Sequence, residues 1–191
     1  MQKFIAFSVV FILIGCAGHI NRTALEANTH GASGDAVKAS TKVNTTDIDI
    51  NSAIYEVQVA DGVSYQDVVD SLKSVSEGMN FVNPANFPIG DHIKLRGIDP
   101  QGVKEVHSFC NLSMGTEIIL DHPEFLVFAP CRIALYEKPD ADKKLKLFIG
   151  LARPTFDLKS IKNPTERAQK SAQQLEDALI KLMDKARHGD F

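Results

Sequence analysis

The chain has 191 residues and a formal net charge of −3, its 21 basic and 24 acidic side chains interspersed. That balance offers no basic patch for a phosphate backbone, so nucleic acid is excluded as the expected partner. Tryptophan is absent and only three tyrosines occur, so no aromatic sugar platform is advertised, and no Gly-rich phosphate loop, His-Glu-x-x-His or Gly-x-Ser-x-Gly motif is present.

The N-terminus reads MQKFIAFSVVFILIGCAGHIN. Lys3 supplies a minimal positive charge, and residues 4–14 form an apolar run. That run is too short for a bilayer core of about 30 Å, which takes about 20 residues; it fits the apolar centre of a secretory signal. Leu13-Ile14-Gly15-Cys16 resembles the bacterial lipobox, which implies a signal peptide over residues 1–15 and lipidation, palmitate included, of Cys16. Several acyl chains at about 0.8 kcal/mol per buried methylene make a stable anchor where one alone is marginal. An ordinary secretory signal that happens to contain a cysteine is the alternative. Ala17, in place of Asp, favours the periplasmic face of the outer membrane. No second long apolar run follows, so the lipid anchor is the expected contact with the membrane.

Residues 16–52 are rich in Ala, Thr, Asn, Ser, Gly and Asp and sustain neither a helical nor a strand period, the composition of a flexible tether. A coil of roughly 36 residues reaches about 30–35 Å r.m.s.. Residues 53–191 are long enough to close a core and are expected to form a single α+β domain.

Within it, residues 53–60 alternate as a half-buried strand, with Tyr55, Val57 and Val59 on one side. Asp61-Gly62 turns the chain, Ser64 and Asp67 form a capping box, and Tyr65, Val68, Val69, Leu72 and Val75 make a helical stripe that ends near Gly78. Pro84, Pro88 and Pro100 predict irregular or edge-like chain over residues 80–102. Residues 103–110 predict a strand, and residues 111–123 a short helix closed by Pro123. Residues 125–137 read as one long central strand, with Pro130 marking a bulge or an edge. A turn and the alternating strand at residues 145–152 follow. Asn163 is the expected cap of the last helix, with Pro164 at its first position and Glu166 completing the box; Ala168, Ala172, Leu175, Leu179, Leu182 and Ala186 repeat along one face. Strand, helix, several antiparallel strands and long helix predict an α+β fold, an antiparallel sheet with the helices on one face.

Two stretches carry a family resemblance. Phe109-Cys110-Asn111 is followed about twenty residues on by Pro130-Cys131-Arg132-Ile133-Ala134-Leu135-Tyr136-Glu137, then by a strand and a C-terminal helix. This pattern, over residues 54–186, resembles the family of domain of unknown function 302. Cys110, Asn111, Pro130, Cys131, Tyr136 and Glu137 match its motif, while Leu112 stands where proline is common. The resemblance implies a β-α-β4-α arrangement like that of the TATA-box-binding protein, and a homodimer. It implies no DNA binding and no reaction.

For Cys110 and Cys131 three readings stay open: a disulfide suited to the oxidising envelope, two core thiols acting as small hydrophobes, or a redox or metal-binding pair. A metal site would enlist His107 and His122, but His107 and Cys110 have opposite strand parity. His92 and His122 read as solvated loop residues. No catalytic residue is singled out and no cofactor is expected, a metal or haem at the cysteines being the alternative. The functional expectation is an envelope-anchored lipoprotein that acts as a binding or interaction module for a protein partner or a small hydrophobic ligand. The alternative is a thiol-redox or metal-binding protein that uses Cys110 and Cys131.

Overall fold

The computed structural model describes Asp49 and residues 51–191. The apolar leader, Cys16 and the expected tether up to residue 48 lie outside the described residues. Strand β1 (Ile54–Gln58) turns Tyr55 and Val57 inward and leaves Ile54, Glu56 and Gln58 exposed, the period-two pattern of a strand covered on one face. Helix α1 (Tyr65–Gly78) starts at the predicted capping box: Ser64 Oγ accepts from the Asp67 N–H at 3.1 Å, and Asp67 Oδ2 accepts from the Ser64 N–H at 2.8 Å. Strand β2 (Asn86–Phe87) is two residues long, squeezed between prolines that cannot donate to a ladder. Helix α2 (Ile89–Leu95) follows where the sequence predicts irregular chain; it packs beside Lys104, beyond the point where β2 pairing ends.

Strand β3 (Lys104–Phe109) leads into helix α3 (Leu112–Ile119), whose cap is Asn111: its Oδ1 accepts from the Met114 N–H at 3.1 Å. The predicted long central strand is shorter than expected. Pro123–Phe128 is a 3-10 helix, and strand β4 (Cys131–Pro139) begins only after the cis Ala129–Pro130 peptide. Pro123 pre-sets the first helical position, and the three-residue spacing brings Phe125 and Phe128 together, ring centroids 5.6 Å apart, which strand alternation would not do. Strand β5 (Leu145–Ala152) and a one-turn helix α4 (Pro154–Leu158) come next. Helix α5 (Glu166–Ala186) is capped by Thr165, not Asn163. Asn163 has φ 53°, a left-handed conformation that a helix cap does not adopt, whereas Thr165 is extended and its Oγ1 accepts from the Ala168 N–H at 3.1 Å.

The five strands form one antiparallel open sheet in the order β1-β5-β4-β3-β2. Register sets Ile133 against Leu151 and Leu135 against Ile149. All four are fully buried beneath α1 and α5, which contribute Val68, Leu72, Ala172, Leu175 and Leu179 to the same core. This is an α+β fold with the core helices on one face. On the other face Tyr136 stacks on Phe148, centroids 6.3 Å apart, and its hydroxyl donates to Glu56. Gly150 makes that possible, since a Cβ there would lie 3.0 Å from the Tyr136 Oη. Among the described residues no helix is long and apolar enough to cross a membrane.

Candidate functional site

Two concavities, one on each side of the inner end of β3, hold His107 in one case and Cys110, Asn111, Pro130 and Cys131 in the other. The first lies between α1 and the β2–β3 edge. The inner stripe of α1 goes to the core, and its shoulder, Val69, Lys73 and Ser76, faces a cleft of about 460 Å3. Phe81, His107 and Phe109 complete its apolar side, and Asn83 and Asn86 stand at its rim. The cleft exists because β2 pairs for only two residues, so the sheet stops short of the helix above it.

His107 is 3% exposed. Its Nε2 has no hydrogen-bond partner and faces Glu105 Oε2 at 3.5 Å, beyond good bonding distance. Glu105 is itself held by the Tyr65 hydroxyl, which donates to Oε2. Burial pushes the His107 pKa below its ordinary value, and the Glu105 carboxylate offsets this only in part, so the imidazole is neutral at pH 7. Burial first, then the Glu105 contact, pushes the Tyr65 hydroxyl up to about 12.

The second concavity is a small, largely apolar cavity of about 40 Å3 at the junction of β3, α3 and β4. Cys110, Cys131, Phe125, Phe128 and Pro130 line it, together with Asp157 from α4. Cys131 shares the inner side of β4 with Ile133 and Leu135, as strand parity predicts, and packs against the core. Both thiols are free and half-buried. Burial first, then the neighbouring Cys110 and Asp157, push the Cys131 thiol up to about 12; burial alone raises Cys110.

The histidines do not join the cysteines. His107 lines the other cleft, and His122, expected as a solvated loop residue, is buried: its Nε2 accepts from the Thr165 N–H at 3.0 Å. It belongs to the entry of α5, and that lone pair is occupied. Among the described residues no group of three or more His, Cys, Asp and Glu side chains is arranged to hold a metal. A cofactor would have only the two thiols and Asp157 as ligands in the small cavity.

The family model for the domain of unknown function DUF302 matches residues 55–186. The chain belongs to that family. An uncharacterized protein of Aquifex aeolicus (strain VF5) is 32% identical over 80 residues, 42% of this chain and 49% of the relative; the chain thus matches about half the length of that curated relative. The crystal structure of an uncharacterized conserved DUF302 protein from Bacillus stearothermophilus superposes with a TM-score of 0.59 at 18% identity, covering 70% of this chain and 97% of that one. The likeness is one of fold.

The DUF302 motif residues have distinct places in it. Asn111 caps α3, and Pro130 and the two cysteines wall the small cavity. Glu137 Oε2 accepts from the Val103 N–H at 2.8 Å and clips the start of β3 to β4. Gly102, at φ 91°, leaves the room: a Cβ there would meet that oxygen at 2.3 Å. Tyr136 belongs to the outer sheet face. Sequence reasoning missed Asp157 and the shoulder of α1. The signal for Asp157 was present in Arg153-Pro154, a helix start; nothing linear marks Val69 and Lys73 as facing a cleft.

Proposed function

We propose that this protein is an envelope-anchored lipoprotein whose DUF302 domain is a binding module for a small, largely apolar molecule, held in the cleft between α1 and β3. The observation that carries this reading is the cleft itself: about 460 Å3, within the size range of small-molecule sites, apolar in its depth and polar at its rim. Apolar area removed from water there supplies affinity, while Lys73 and Asn86 at the mouth orient a polar end. Lipidation at Cys16 tethers the module to the outer membrane, a reading supported by the lipobox-like Leu13-Ile14-Gly15-Cys16. The proposal includes a homodimer, supported by a sheet face on which Ile54 and Phe87 are exposed.

The test uses 1-anilinonaphthalene-8-sulfonate as an apolar probe. Its fluorescence rises with the protein, and the Val69→Trp variant, which fills the cleft from its shoulder, loses the rise while keeping its thermal midpoint. Equal fluorescence from the variant sinks the proposed site. Separately, labelled palmitate enters the native chain in a bacterial host and not the Cys16→Ser variant; label in both, or in neither, removes the anchor. Sedimentation velocity reads the oligomer.

A further inference from the structure

The cavity at the end of β3 supports a different activity, which does not depend on the cleft. We propose that Cys110, Cys131 and Asp157 form a thiol–disulfide exchange site, with Cys110 as the attacking thiol, Cys131 as the resolving thiol and Asp157 as the proton acceptor for Cys131.

The two cysteines meet where β3 ends. Phe109 pairs with Cys131 across β3 and β4, and Cys110 follows outside the strand, in the step to the Asn111 cap of α3, where strand alternation no longer sets its direction. The backbone of Cys110 is held on its other side by Val82: Cys110 N–H donates to Val82 O and Val82 N–H to Cys110 O, both at 2.9 Å. Both thiols line the one small cavity, and so does Asp157. Among the described residues these three side chains are not arranged to hold a metal, but a pair of thiols with a nearby proton acceptor suits two-step exchange.

The environments divide the roles. Cys131 is the inner thiol, held protonated by burial and by Cys110 and Asp157. Cys110 feels burial alone and is raised less, so it is the first to ionise and to meet an incoming disulfide. Burial raises the Asp157 carboxyl, Arg132 on β4 pulls it down, and Glu176 on α5 pushes it up again. A carboxyl raised in this way is a better proton acceptor than a solvated one.

The chemistry balances in two steps. The Cys110 thiolate attacks one sulfur of a substrate disulfide, forms a mixed disulfide and expels the first thiolate, which takes up the proton that Cys110 shed. Asp157 then accepts the Cys131 proton as the Cys131 sulfur attacks Cys110 Sγ. The Cys110–Cys131 bond forms, and the second substrate thiolate leaves with the proton from Asp157. The protein dithiol is oxidised by two electrons and the substrate disulfide is reduced to two thiols.

The experiment offers 5,5′-dithiobis(2-nitrobenzoate) to the full chain carrying Cys16→Ser, so that two thiols remain. The expected result is release of two thionitrobenzoates per chain with no adduct retained, and a peptide map that links residues 110 and 131. Cys131→Ser releases one and keeps the adduct on Cys110. Cys110→Ser reacts more slowly by about 100-fold, and Asp157→Asn keeps the first release but slows the second by about 100-fold and flattens its pH profile. Unchanged thermal midpoints establish that the variants fold, and the stoichiometry and peptide map of the unmutated pair need no variant. Oxidised glutathione and a cystine-bridged apolar peptide, offered separately, distinguish a small substrate from a peptide one. Two adducts retained on separate cysteines, or no reaction at all, overturns the proposal; an unaltered second step in Asp157→Asn overturns the role of that carboxyl.

Discussion

Glu176 is 1% exposed and accepts from Arg153 Nε at 2.9 Å and Nη2 at 2.8 Å through one oxygen, while its other oxygen accepts from the Thr155 N–H at 3.1 Å. Arg153 spends its remaining nitrogen on the carbonyls of Asp49 and Ser52, at 2.8 and 3.0 Å. Every charge in the group is therefore answered, and removing one side leaves a buried cation unpaired. Glu176→Ala is expected to cost about 3–5 kcal/mol in urea unfolding; a loss under about 1 kcal/mol means the pair is open to water. His107 makes a prediction of opposite kind. Its folded pKa is depressed, so as pH falls below about 6.5 the unfolded chain takes up the proton first. Its neutral burial therefore favours the fold fully above that pH, and the advantage is lost on acidification. The urea midpoint of the native protein should fall more steeply between pH 7 and 5 than that of His107→Gln. Parallel slopes would show that the imidazole does not stay neutral on burial.

At the scale of elements, the entry to α5 is the informative case. Thr165 caps the helix, its hydroxyl also donates to Asp121 Oδ2 at 2.6 Å, and its N–H donates to His122. Arg167 from the first turn of the helix then donates to Asp121 through Nε at 2.9 Å, and with Thr165 it holds the Asp121 carboxyl down to about 2. Thr165→Ala should cost about 1 kcal/mol, whereas Asn163→Gly, at a left-handed position, should change stability by less than about 0.5 kcal/mol. The reverse ranking by thermal unfolding returns the cap to Asn163. Both residues are of capping type, and proline follows one and precedes the other, so composition alone does not separate them.

For the whole molecule, one helical layer on one sheet concentrates stability in the shared core. Leu135→Ala should cost about 2–5 kcal/mol, while Val127→Ala, on the exposed side of the 3-10 helix, should stay within about 0.5 kcal/mol; similar losses at both sites would place Val127 under a partner. The elements of this core were legible because their periods are local: the α5 stripe from Ala168 to Ala186, the capping box at Ser64, and the alternation that turns Cys131, Ile133 and Leu135 to one side. Helix α2 was hidden by prolines that usually exclude regular structure, and the 3-10 helix by an apolar run whose spacing suits a strand as well. The two candidate sites divide in the same way. The cysteine pair was visible as a motif, but its neighbour Asp157 comes from a helix beyond two intervening strands, and whether the thiols share a cavity depends on strand register. The cleft beside His107 was not visible at all, because it is made by pairing that stops after two residues. Side-chain periodicity and caps are properties of a few consecutive residues, so the sequence alone determined the order of most elements, the inner face of each and the family. Register, the length of β2 and the approach of α4 to the β3–β4 junction are contacts between distant residues, and only the tertiary structure decided them.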